Sequence, residues 1–150
     1  MARAIQLSLE NVGSGLGGPF GAVIVKDGAV IAEGANRVTL TNDPTAHAEM
    51  LAIRAACAKL GTFDLQGYEI YASCEPCPMC LGAIYWARLS RVYFAAVDAD
   101  AAKAGFDDSS IYRELSLPIG QRKIAMIQMM REEALAAFHA WQKKADKIAY

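Results

Sequence analysis

The chain has no excess of basic residues. Its 15 lysines and arginines face 16 acidic residues, a formal net charge of -1. A tight nucleic-acid binder carries a basic face, so no nucleic-acid partner is expected. Lys143, Lys144 and Lys147 read as a solvated helix face. No run approaches the roughly 18 apolar residues of a membrane-spanning helix, so no membrane partner is expected. Met1 to Asn11 carries Glu10 and has no long apolar core, so it reads as a short helix rather than a secretory leader. Repeats, linkers and low-complexity segments are absent. There are only 2 histidines and 4 cysteines. Three of the cysteines crowd between Cys74 and Cys80, which argues against a disulfide framework and for metal-bound thiolates in a reducing cytoplasm.

What is present suits one globular domain. The 150 residues are 54% hydrophobic and 21% charged, enough for one core over residues 1–150. Ala22–Lys26 and Val30–Glu33 flank Asp27-Gly28, a hairpin signal. Asp43-Pro44-Thr45 resembles a helix start, with the helix running from about Ala46 to Leu60 and stopping at Gly61. Strands are expected at Tyr68–Ser73, Arg91–Ala96 and Lys123–Met129, with helices at Pro78–Arg88 and from Arg131 to about Lys147. This alternation predicts a three-layer α/β/α domain with a mixed sheet of about five strands. The Gly-rich stretch Gly13–Gly21 lacks the Lys-Ser/Thr ending of a phosphate loop and reads as a tight turn.

The chemistry lies in two blocks: His47-Ala48-Glu49, and Cys74-Glu75-Pro76-Cys77-Pro78-Met79-Cys80. They offer one imidazole, two thiolates in Pro-Cys-x-x-Cys and a free carboxylate. Three protein ligands suit a catalytic zinc, which keeps a position open for water, rather than a closed structural zinc. His-x-Glu followed by Pro-Cys-x-x-Cys is the zinc deaminase arrangement, with the Glu carrying protons and not ligating. Cys77 and Cys80 are three apart at a helix start, where partial positive charge favours thiolates. A redox pair or half a zinc knuckle is the plainer reading of Cys-x-x-Cys, but no second such pair exists outside this run. Cys74 extends the run to C-x-x-C-x-x-C, yet Ile84 stands where an iron–sulfur run has its fourth cysteine. Cys74 therefore packs at the strand end or lines the pocket wall. Cys57, among Ile53, Ala56 and Leu60, reads as core, and His139 as structural. Residues two apart on an ideal helix point about 200° from each other. His47 and Glu49 converge only if the metal lies off the helix N-terminus.

Four stretches carry a family resemblance: Gly17–Val23, Asn42–Glu49, Cys74–Trp86 and Ala104–Ser109. The chain resembles the cytidine/deoxycytidylate deaminase superfamily, and within it the small bacterial guanine deaminases. The first three stretches are also similar to tRNA adenosine deaminases; Gly105-Phe106-Asp107-Asp108 and the aromatic C-terminus point to guanine. The resemblance implies zinc on His47, Cys77 and Cys80, and Glu49 as proton shuttle. It implies Asn36 as a hydrogen-bonding contact to a purine base, Phe20 and Trp86 as pocket walls, and Asp108 or Asp107 as acceptor from ring N–H groups. Trp86 reads equally as core. The implied reaction is hydrolysis of guanine to xanthine and ammonia. The alternatives are a tRNA adenosine deaminase, a deaminase of another small amino-heterocycle such as cytosine, and a non-catalytic zinc module. The resemblance further implies that the C-terminal segment, about 131–150 with Tyr150 at its end, caps the site, and that the chain is a homodimer with exchanged C-terminal segments.

Overall fold

The computed structural model describes residues 1–149; Tyr150, expected to cap the substrate, lies outside the described residues. Residues 1–108 and 109–150 form two compact units.

The first unit is built on a four-stranded sheet in the order β2-β1-β3-β4. Strands β1 (Gly21–Lys26) and β2 (Ala29–Ala35) form the expected hairpin, with Asp27 and Gly28 both at positive φ. β3 (Glu69–Cys74) runs antiparallel to β1, and β4 (Arg91–Ala96) runs parallel to β3. The sheet is therefore mixed. Its two faces follow the alternation of β1. Ala22 and Ile24 point, with Ile70, into a core completed by Ala48, Ala52, Ile53 and Ala56 of α3 (Ala48–Leu60) and by Ile84 of α4 (Pro78–Trp86). Gly21 faces the other way, where α1 (Ala2–Ser14) lies so close that a Cβ would sit 2.4 Å from Ala4 O. α3 presses equally closely on β2: a Cβ at Gly34 would lie 2.2 Å from Ala48 O and 2.6 Å from Ala52 N. Glycines at both points let helices approach the sheet on either face. The short helices α2 (Val38–Thr41) and α5 (Asp98–Lys103) follow β2 and β4.

The start of α3 differs from expectation. Asp43 does not cap it. Its Oδ1 accepts from Thr45 N–H and Thr45 Oγ, closing a local turn. The side chain is spent two residues on, as Asx turns do, and the helix begins only at Ala48. α4 begins at Pro78, which presets the first helical φ.

The second unit holds α6 (Ser109–Ser116), a 3₁₀ turn at Ile119–Gln121 and α7 (Arg131–Lys143). The fifth strand expected at Lys123–Met129 is not formed: residues 122–130 have no ladder partner. An apolar segment becomes a strand only against another edge. Ile124, Ile127 and Met129 are exposed here.

Candidate active site

The two parallel strands deliver the site. Ligand clefts in such sheets lie beyond the C-terminal ends of the strands, and here Cys74 at the end of β3, Glu75 just beyond it and Asp98 after β4 line one cavity of about 550 Å³. The N-termini of α3 and α4 open onto it.

His47 occupies the N-cap of α3 in an extended conformation, outside the helix. Glu49 lies in the first turn. Because His47 is not on the helical spiral, the 200° divergence does not apply, and imidazole and carboxylate face the same cavity. Cys77 is the N-cap of α4 and Cys80 its third residue. His47 Nδ1 is 3.6 Å from Cys77 Sγ and 3.5 Å from Cys80 Sγ. The three ligand atoms all lie within 4.8 Å of one another, the one such grouping among the described residues.

Charge in this cluster is unevenly shared. Cys77 is held down to about 4, first by the hydrogen bond from the Cys80 thiol and then by His47. Cys80 is pushed up, since it carries the proton of that pair, is buried and faces Glu49. The hydrogen bond to Cys77 raises His47 against the opposing effect of burial. Glu49, 7% exposed, is raised chiefly by burial and lies within interaction range of Cys80. Its carboxyl therefore reaches the ligand group while remaining a proton holder.

One imidazole and two soft sulfurs, one already a thiolate, fit zinc. The donor set leaves one tetrahedral corner free of protein. Glu49, beside that group, is placed to act on what fills it.

The remaining expected residues divide. Asn36, Phe20, Asp107 and Asp108 line the cavity. Asp108 is raised by burial and by the Cys77 charge, and its own charge in turn raises His47. Trp86 is a correction. It stands 67% exposed at the end of α4 and is not among the residues around the cavity. Nine residues beyond Cys77, it is carried about two and a half helical turns from the ligand end. Its place as an aromatic wall is taken by Phe106, which lines the cavity and meets Phe20 edge-on at 4.9 Å. Phe106 carries no role in the sequence reading, although it sits inside the Gly-Phe-Asp-Asp segment that was singled out. Cys74, buried, lines the wall as one of its two readings had it.

A mixed sheet with helices on both sides and a His/Cys/Cys group at two helix N-termini beyond its parallel strands is the arrangement of a catalytic zinc site. Residues 1–96 match the cytidine and deoxycytidylate deaminase zinc-binding region, and the chain belongs to that family. Guanine deaminase of Bacillus subtilis is 57% identical over 150 residues, covering all of this chain and 96% of the relative. The X-ray structure of guanine deaminase from Bacillus subtilis superposes with a TM-score of 0.96 at 58% identity, covering 99% of this chain and 95% of that one. A tRNA-specific adenosine deaminase of Aquifex aeolicus is 50% identical over only 80 residues, 53% of each chain.

Proposed function

We propose that this protein hydrolyses guanine to xanthine and ammonia, with zinc held by His47, Cys77 and Cys80. The observation that carries the reading is the placement of this group and Glu49 on one cavity of small-molecule size, in a chain similar over its full length to a guanine deaminase.

The reaction adds water at the ring carbon that bears the amino group and expels ammonia. Zinc, when bound, supplies a water acidic enough to serve as nucleophile near neutral pH. Glu49 takes up the first proton of that water, holds it in its buried and proton-favouring surroundings, and passes it to a ring nitrogen; it then carries the second, from the new hydroxyl on the ring carbon, to the amine, which departs as ammonia. Phe20 and Phe106, packed edge-on against each other, give the flat base an apolar wall. Asn36 donates an N–H to an acceptor of the purine, and Asp108, whose charge is coupled to Cys77 and His47, accepts from its ring N–H groups.

The same reading extends to the assembly. β4 is an edge of the described sheet, and residues 122–130 are an apolar segment without a ladder partner. Both support a homodimer in which C-terminal segments are exchanged, and in which Tyr150 closes the cavity over a free base. The segments 1–108 and 109–150 then form one deaminase domain. Four free cysteines and a thiolate-rich metal site support a cytoplasmic location. No described helix is long and apolar enough to cross a membrane.

The test is ammonia release by the zinc-loaded protein from guanine, guanosine, adenine, cytosine and a tRNA anticodon stem-loop. Guanine consumed well above the others supports the assignment. Preferential turnover of the stem-loop or of another base overturns the substrate and leaves the zinc chemistry standing.

A further inference from the structure

Asn11 stands where an aliphatic residue belongs. Ala4, Ser8 and Asn11 form the buried stripe of α1, and Asn11 is 2% exposed. A buried amide costs free energy unless its polar atoms are paired. Here they are. Asn11 Nδ2 donates to Gly18 O at 2.8 Å and to Asn36 O at 2.9 Å, and its Oδ1 accepts from Arg37 Nη1. One side chain on α1 thus clamps the loop before β1 to the residue after β2. The approach is tight, since a Cβ at Gly17 would lie 2.1 Å from Asn36 O and 3.0 Å from Asn11 Nδ2.

The clamped segments also aim the Asn36 side chain. Asn36 Oδ1 accepts from Gly18 N–H and from Val38 N–H, each at 3.2 Å. With its oxygen engaged by backbone, the amide nitrogen is the end that Asn36 presents to the cavity it lines. A few tenths of an ångström of slack between Gly18 and Asn36 would turn that amide. The next residue, Arg37, donates its N–H to Ala46 O at 2.9 Å, one residue before His47, so the same clamp borders the metal site.

We propose that Asn11 is a positioning residue for the substrate: it touches no ligand, and it fixes the angle at which Asn36 donates to the purine. This rests on the reading of Asn36 as a substrate contact. Asn11→Asp is nearly isosteric, keeps the acceptor for Arg37 and removes both donors to Gly18 O and Asn36 O.

The experiment is a double-mutant cycle of Asn11→Asp and Asn36→Ala, read as kcat and KM for guanine, with zinc content and Tm measured in each protein. Asn11→Asp alone is expected to retain its zinc and lower kcat/KM about tenfold or more, as misaligning one buried hydrogen bond does. In the Asn36→Ala background the same change is expected to cost less than about twofold, because coupled sites are not additive, while its effect on Tm is equal in both backgrounds. Equal losses of kcat/KM in both backgrounds overturn the proposal. So does loss of fold or zinc in both Asn11→Asp and the milder Asn11→Ser, which makes the role structural. A wild-type protein without guanine turnover brings down the functional reading itself, and this proposal with it.

Discussion

His47 Nδ1 lies 3.5 Å from Cys80 Sγ, although 33 residues separate them. The contact exists because both residues sit at helix N-termini that converge beyond the same end of the sheet, His47 capping α3 and Cys80 in the first turn of α4. Removing either ligand should therefore abolish the metal site without dismantling the core behind it. His47→Ala and Cys80→Ala are each expected to purify with far below one zinc per chain while keeping near-native circular dichroism. Stoichiometric zinc in either variant is inconsistent with this ligand set.

Glu49 is expected to be dispensable for metal binding and essential for turnover. Glu49→Gln preserves the shape of the buried side chain and removes its proton chemistry, a loss of about 10²- to 10⁴-fold in kcat for a general acid–base group. Zinc analysis and steady-state kinetics on the same sample separate the two roles.

The two adjacent aspartates should be unequal. Asp108 exchanges charge influence with Cys77 and His47, so Asp108→Asn is expected to lower kcat/KM for guanine by at least about tenfold, the scale of a lost hydrogen bond to a charged group. Asp107→Asn is expected to cost much less. The reverse order would assign the contact to Asp107.

Gly34 sets how closely α3 approaches β2. In Gly34→Ala the new methyl meets the backbone at Ala48 O and Ala52 N, atoms that move only if the helix does. Overpacking of this kind costs about 1–3 kcal/mol. Since Ala48 lies between His47 and Glu49, zinc affinity should fall together with Tm. Denaturant unfolding and a zinc titration measure the two effects.

The Arg3–Glu33 pair gives stability a defined pH dependence. Arg3 Nε and Nη2 donate to the two Glu33 oxygens at 2.7 and 2.6 Å, tying α1 to β2. Hydrogen bonding by Arg3 lowers the Glu33 carboxyl below its ordinary 4.5. A carboxyl depressed on folding stabilises above its unfolded pKa and loses that contribution as pH falls through the folded one. Glu33→Gln should therefore lower Tm slightly at pH 7, and the difference from wild type should shrink below about pH 4. A difference independent of pH contradicts the assignment. The pair is partly exposed, which keeps the effect small.

Much of this was legible in the sequence because local chemistry dictates it. The Asp27-Gly28 hairpin, Pro78 at the head of α4 and Gly61 at the end of α3 are decided by backbone rules. The zinc group was legible as a motif, though its geometry was not: an ideal helix separates His47 from Glu49, and only the Asp43–Thr45 turn, which delays α3 to Ala48, removes the conflict. Trp86 is expected at the cavity and Phe106 has no expected role, because aromatic character is visible in sequence while the direction a side chain faces is not. The strand expected at Lys123–Met129 failed for a different reason. An apolar run states a capacity to pair, and no described strand edge pairs with this one. Asn11 gave no signal at all, since a polar residue in a helical stripe acquires meaning only through the carbonyls it meets.

The most direct test of the zinc-deaminase account is guanine turnover followed against zinc content. Chelator-stripped wild-type protein and Glu49→Gln are titrated with zinc, and xanthine and ammonia are measured at each step. The account predicts wild-type activity rising in proportion to zinc up to one ion per chain, xanthine and ammonia in equal amounts, and no appreciable turnover by Glu49→Gln at full zinc loading. Turnover that persists in the stripped protein, or that survives undiminished in Glu49→Gln, would contradict it.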